Sequence, residues 1–448
     1  MKRTLTVFFS FFLILSMAAS AMAGGPPPKD LLKGYFTEIN ETDGSVQFRK
    51  DGTETMMTLH LNHDMTASDI RLNKKVLVTL DKHAAGENVI GHVSIMFMDL
   101  TLIKIGSLLL IGLIGGLLSG FIGSGGAFVM TPAMMSLGAP GAIAVASNMC
   151  HKFPKAMVGA FKRYKYGQVD VKLGLVMAVT AIIGVEIGIK IQMFIMNSWG
   201  NAGSNLYVSL VFVAVLVIVG LIVAIDAYKL AKGGGAEAKT PKLALALMKL
   251  NVPPMMEFKV AKVRISAWVT IPVGLFTGML AATIAVGGFI GVPGMIYVIG
   301  ASAMIASATE LVIAFIMGCY GSIQWAISGL VDIRMTLLIL AGSLFGVQLG
   351  ALGTTYVKDH IIKIVMAAVM LIVAVSRGAK VPGYLADIGL MKALTPQSTA
   401  LLNSISFWAL ITALGSAGAM ITFYMIKGMM ESRQQEKQAM LKTVQNEI

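Results

Sequence analysis

A chain of 448 residues with 56% hydrophobic and 13% charged side chains, and a mean hydropathy of +0.77, lies outside the balance of a water-soluble globular protein. Most of it must sit in lipid. The formal net charge of +13 does not signal a nucleic-acid partner, because the basic residues collect in short segments between apolar runs, where charge orients a membrane protein.

At the N-terminus, Lys2 and Arg3, an apolar run from Leu5 to Met17, and Ala21-Met22-Ala23 before Gly24 form the pattern of a secretory signal over 1–23. An uncleaved anchor is the competing reading, although the run is short for a full span. Alternating segments follow at 34–39, 45–48, 56–61, 75–80 and 89–95, parted by turns such as Asp43-Gly44 and Asp51-Gly52. They predict a small periplasmic β domain or barrel over 24–100. Four of the six histidines, His60, His63, His83 and His92, fall in it. Their spacing is not that of a metal site, and they read as ordinary surface or half-buried histidines.

From Leu102 the character changes. Apolar stretches of spanning length lie at about 105–123, 142–160, 171–192, 206–228, 264–284, 302–320, 335–352, 360–376 and 403–426. Two shorter pieces at 125–137 and 286–299 are interrupted by Gly and Pro. A duplication is legible: a shift of 162 positions takes GAPGAIAVASNM at Gly138 onto GASAMIASATEL at Gly300, Gly167-Gln168-Val169-Asp170 onto Gly329-Leu330-Val331-Asp332, and Gly184 and Gly188 onto Gly346 and Gly350.

Charge sets the expected orientation. Lys162, Arg163, Lys165 and Lys172 place the loop after the second span in the cytoplasm, whereas the uncharged segment from Phe194 to Leu206 belongs outside. The loop at 321–333 lacks the basic residues of its first-half counterpart, and the tail with Lys427, Arg433, Lys437 and Lys442 is cytoplasmic. The expected architecture is therefore an all-α polytopic membrane bundle with two inverted repeats containing broken Gly-rich helices, preceded by a small extracytoplasmic β domain. Its parts are a first repeat at 101–228, a basic cytoplasmic linker at 229–263, a second repeat at 264–376, and an extra transmembrane helix with a cytoplasmic tail at 377–448. Such a chain belongs in a bacterial inner membrane as a multi-pass protein.

Two features carry chemistry. The breaks at Gly123-Ser124-Gly125-Gly126 with Pro132, and at Gly287-Gly288 with Gly291 and Pro293, free backbone N–H groups that can face an anion at membrane depth. Close helix packing through small residues is the alternative for each break. The second feature is the polar stripe of the 142–160 segment, where Ser147, His151 and Lys155 share a helical face and Asn148 and Lys152 lie beside it. Cations at that depth need a partner or water, and a cationic, hydrogen-bonding stripe suits an oxyanion. For Lys155, snorkelling to the interface is an equal reading. In the second half Glu310 replaces Asn148, next to Thr309, which joins the substrate-binding set. Glu310 is suited either to pairing with Lys152 or to accepting a coupling proton, and Glu186 is a weaker candidate for coupling. Cys150 and Cys319 lie in apolar stretches and read as small packing residues, with reactivity toward sulfur compounds as the alternative.

These motifs resemble the TauE/SafE family of membrane anion exporters. The resemblance rests on GLLSGFIGSGGAFVMTP from Gly116 to Pro132, the GAPGAIAVASNM segment, YGQVD at 166–170, Gly184 and Gly188, and their repetition, and it covers about 105–376. It implies export of sulfite or small organosulfonates without enzymatic turnover or a cofactor. The chain departs from a typical member in its signal, β domain, extra helix and Ala127. The resulting expectation is a secondary transporter of a small oxyanion, in contact with lipid and independent of nucleic acid. A membrane-anchored sensor or assembly factor using the β domain is the runner-up. An enzyme is disfavoured because a nucleophile–base pair and a metal motif are both lacking.

Overall fold

A computed structural model describes residues 31–40, 43–51, 53–62, 70, 72–73, 75–80, 88–95, 97–122, 126–232, 241–249, 251–353, 357 and 359–447. The expected signal, His63, His83, Gly123, Ser124 and Gly125 lie outside them, as does the side chain of His92.

The expected β segments form strands β1 (Leu31–Asn40), β2 (Ser45–Lys50), β3 (Met56–Leu61), β4 (Lys75–Leu80) and β5 (Val89–Ile95). They close a barrel in the order β1-β2-β3-β5-β4, with β1 returning to β4. All pairings are antiparallel except that of β3 with β5. Alternation explains the closure, since Phe36, Val46, Phe48, Leu59, Val76, Val78 and Ile90 all point inward and are wholly buried. Phe36 and Phe48 meet edge to face with ring centroids 5.4 Å apart. At the Asp43-Gly44 turn, Asp43 Oδ1 accepts the Ser45 N–H at 2.9 Å.

The rest is helical: α1 (Leu102–Ile122), α2 (Ala127–Ser136), α3 (Gly141–Lys165), α4 (Val171–Ala231), α5 (Lys242–Met248), α6 (Ala267–Ile284), α7 (Gly288–Gly294), α8 (Ala303–Ile327), α9 (Ile333–Gly353), α10 (Asp359–Asp387) and α11 (Pro396–Glu447). A π-turn, Met295–Ile299, continues α7. Among the described residues, seven helices are long and apolar enough to cross a membrane: α1, α4, α6, α8, α9, α10 and α11. Both expected spans at 171–192 and 206–228 lie in α4, whose 61 residues bend at Gly200, where φ is 63° and ψ −157°. The 25-residue α3 is missing from that set because the polar stripe lowers its hydropathy, not because it is short. The basic linker also carries structure, with α5 and a hairpin of β6 (Met255–Phe258) and β7 (Val263–Ser266).

Packing ties each half to the other. α1 lies along α9, α4 along α6, and α3 along α8. Glycine allows the closest of these approaches. A side chain at Gly116 would strike the Ser343 backbone, and one at Gly346 would strike the Leu113 carbonyl. The same contacts recur 162 positions away, where Gly278 meets the Ala181 backbone and Gly184 the Leu275 carbonyl. Residue for residue, the α1–α9 seam and the α6–α4 seam exchange under the shift. The second arm of α4 beyond Gly200 packs on α10, for instance Gly220 beside Leu371, and α10 packs on α11.

Candidate functional site

The polar stripe is held in place from the start of α3. Gly141 N–H donates to Asn205 Oδ1 at 2.6 Å and Ala142 N–H to Ser204 Oγ at 3.1 Å. Both acceptors lie just past the bend at Gly200. Ser204 in turn accepts from Gln192 Nε2 at 2.6 Å, so the bend caps the helix that carries the stripe.

Two turns further along α3, Ser147, Asn148 and His151 are completely buried, and Lys152 and Lys155 are half-buried. Asn148 Nδ2 donates to the Ala127 carbonyl at 3.0 Å and to Thr131 Oγ1 at 2.7 Å, which fixes the first turns of α2 against α3. His151 Nδ1 lies 2.8 Å from the Asn148 carbonyl. A carbonyl only accepts, so Nδ1 carries the proton and Nε2 presents its lone pair. Neither Nε2 nor Asn148 Oδ1 has a hydrogen-bond partner, although both atoms are buried.

From the facing helix α8 comes Glu310, only 4% exposed, with neither carboxylate oxygen hydrogen-bonded. Gly291 of α7 lies against this carboxylate so closely that a Cβ there would overlap Oε2. Lys152 is near enough for its charge to interact with that of Glu310, and Lys155 near enough to interact with Lys152 and His151. The two short helices meet close by, with the rings of Phe128 on α2 and Phe289 on α7 5.1 Å between centroids. The result is a buried group of two lysines, a histidine and an amide against one acid, with several polar atoms unpaired. Leaving such atoms unpaired in a bundle core is costly; all of them are acceptors, so a proton or a donor relieves that cost, while the ammonium groups of Lys152 and Lys155 are what attracts an anion.

Other expected site residues are engaged differently. Ser147 Oγ accepts the Asp332 N–H at 3.0 Å, and Thr309 Oγ1 accepts the Asp170 N–H at 3.1 Å, so both hydroxyls brace loops of the opposite half. Glu186 is held apart from the buried group: its carboxylate accepts from Tyr320 Oη at 2.9 Å and pairs with Lys190 at 3.2 Å. Gly126 packs against the backbone of Gly115 with no room for a side chain, and Gly287 lies against the Thr277 carbonyl and Met317. Both cysteines are free.

The sulfite exporter TauE/SafE family matches residues 108–377, more than half of the chain and the whole of this buried group. The chain belongs to the TauE/SafE family. It is accordingly a membrane transporter and not an enzyme. It is also similar to the probable membrane transporter protein YjnA of Bacillus subtilis (strain 168), at 24% identity over 267 residues, covering 59% of this chain and 96% of that protein. No solved structure matches. The TauE/SafE segment leaves out the β barrel and the whole of α11.

Three engaged residues escaped the sequence reading. Asp170 and Asp332 stood out there only as markers of the duplication, yet both carboxylates are bonded. Asp170 accepts from the N–H groups of Leu173, Val260 and Ala261, while Asp332 pairs with Arg334 at 2.9 Å. Arg377, one residue past the expected end of the second repeat, is wholly buried. An arginine directly after an apolar run is its only signal in the sequence.

Proposed function

We propose that the protein is a secondary transporter that moves a small oxyanion, of the sulfite or organosulfonate class, across a bacterial inner membrane by alternating access. The observation that carries this reading is the buried cationic stripe of α3 facing Glu310 of α8, in a chain whose family is one of transporters. Lys152 and Lys155 receive the anion, joined by His151 once its Nε2 takes up a proton, while Asn148 holds α2 against α3 and the breaks at Gly126 and Gly287–Gly288 lie along the approach. Glu310 balances Lys152 when the site is empty and is the group through which a proton couples to transport.

The exchange of contacts between the α1–α9 and α6–α4 seams supports inverted repeats. Two equivalent packings of one sequence pattern are what a carrier needs in order to open to either side at similar energy. The basic residues around 162–172 and in the tail support a cytoplasmic placement of those segments, with the barrel on the opposite side.

The test is uptake of radiolabelled sulfite into tight proteoliposomes, with sulfate, thiosulfate and a sulfonate as competitors, for the protein and its Lys152→Ala variant. Saturable uptake that the variant loses by about ten-fold or more supports the reading, a loss in keeping with one charge-assisted contact. Absence of flux for every one of these oxyanions overturns the sulfur-anion assignment.

A further inference from the structure

Arg377 is buried without trace of exposure inside α10, where it meets α2 and α11. Its Nη2 donates to Ser136 Oγ at the end of α2 at 2.6 Å, to Ser406 Oγ on α11 at 3.3 Å and to Ser376 Oγ at 3.4 Å. The Nε and Nη1 atoms, which carry the other three N–H bonds of the guanidinium, have no acceptor. Among the described residues no carboxylate comes within ion-pair distance of Arg377. Hydroxyl groups solvate a guanidinium but do not neutralise it, so the site holds a full positive charge, lacks a counter-charge and has donors to spare.

The surroundings repeat this chemistry toward the end of α10. One turn on, Lys380 is half-buried and donates to Asn403 Oδ1 on α11 at 2.6 Å. Two cations on α10 thus face Ser406 and Asn403, a polar row on α11, in a file running from the tip of α2 to the turn between α10 and α11. Both polar partners on α11 lie beyond the TauE/SafE segment. None of the hydrogen bonds in this cluster involves Asn148, His151, Lys152 or Glu310.

We propose that Arg377 is a second anion-binding position, at which its free Nε–H and Nη1–H groups hold an oxyanion group beside Ser136 and Ser406. The chemistry is that of an oxygen-rich, singly or doubly charged anion. Two sources carry it: a free oxyanion, or the phosphate of an anionic phospholipid entering between α10 and α11.

The experiment uses the purified full-length protein. Thermal unfolding is followed against sulfite, sulfate and phosphate in the Lys152→Ala background, with and without Arg377→Lys, while native mass spectrometry reports retained phosphatidylglycerol and cardiolipin. A free-anion site gives anion-dependent stabilisation in Lys152→Ala that weakens about ten-fold or more in affinity when Arg377→Lys is added. A lipid site gives no such stabilisation, but an anionic phospholipid stays with the wild type and is lost from Arg377→Lys. If Arg377→Lys does not fold, Ser406→Ala keeps the guanidinium and removes one hydroxyl, and the same affinity or lipid retention must still fall. Stabilisation or lipid retention indifferent to these changes, or neither of them in the parent proteins, overturns the proposal. The outcome is separable from the transport reading: sulfite flux can fail while the Arg377-dependent binding persists, and the reverse.

Discussion

The backbone N–H of Asp170 donates to Thr309 Oγ1, and 162 positions on, the N–H of Asp332 donates to Ser147 Oγ. Each hydroxyl immediately precedes a residue of the buried site, Glu310 in one case and Asn148 in the other. Each aspartate also secures something outside the bundle. Asp170 collects the Val260 and Ala261 amides of the β6–β7 hairpin, while Asp332 grips Arg334, whose Nη2 reaches the Met98 carbonyl at 3.4 Å.

Removing either hydroxyl should cost stability with little change in substrate affinity. Thr309→Val and Ser147→Ala are each expected to lose about 1 kcal/mol, the worth of one buried hydrogen bond, and Thr309→Ser to restore it. Unfolding in a graded denaturant series on purified protein measures this. A large loss of transport affinity at unchanged stability would instead return the two hydroxyls to the substrate.

Asp170→Ala strips the acceptor from three backbone N–H groups. We expect limited proteolysis at 255–266 to speed up several-fold, with Asp170→Asn intermediate because its amide oxygen still accepts. An unchanged cleavage rate would show that the hairpin is held by other contacts, such as the Lys172 bond to the Glu257 carbonyl at 3.1 Å.

Glu310→Gln keeps the shape against Gly291 while removing the negative charge beside Lys152. Flux is expected to fall by about ten-fold or more with normal membrane abundance, as for loss of one buried charge interaction. Wild-type flux in this variant would exclude Glu310 as the coupling acid.

The glycine seams make a matched pair of tests. Gly278→Ala drives a Cβ into the Ala181 backbone and should destabilise by about 1–3 kcal/mol. Gly415→Ala on α11 meets nothing within 4 Å, and should be neutral or stabilising by up to about 1 kcal/mol. Equal effects in thermal unfolding would contradict the seam.

How far these features could be read in advance depended on whether their cause was local. The barrel strands follow from period-two alternation, and Asp43-Gly44 turns where expected. The stripe from Ser147 to Lys155 was visible because polar residues are costly within an apolar run. The 162-position shift was visible because its glycines recur at fixed spacing, although their reason, backbone meeting backbone in two exchanged seams, required the fold. What stayed hidden depended on partners far along the chain. Arg377 takes its meaning from Ser136, 241 positions away, and Glu186 is drawn off by Tyr320, 134 positions away. The lengths of α10 and α11 were understated because those helices run on past their apolar cores, and in α11 Lys427 and Glu431 sit one turn apart, 4.0 Å from each other.

The bond from Arg334 to Met98 has a mechanical side. Met98 lies in the short stretch by which the barrel enters α1, and Arg334 begins α9, the helix that α1 follows along its glycine seam. The barrel is therefore joined to α9 through this bond as well as to α1 through the chain itself. A load applied to it, by a binding partner or a tether on the same side, would reach α9 and with it the loop that carries Asp332 and steadies Ser147.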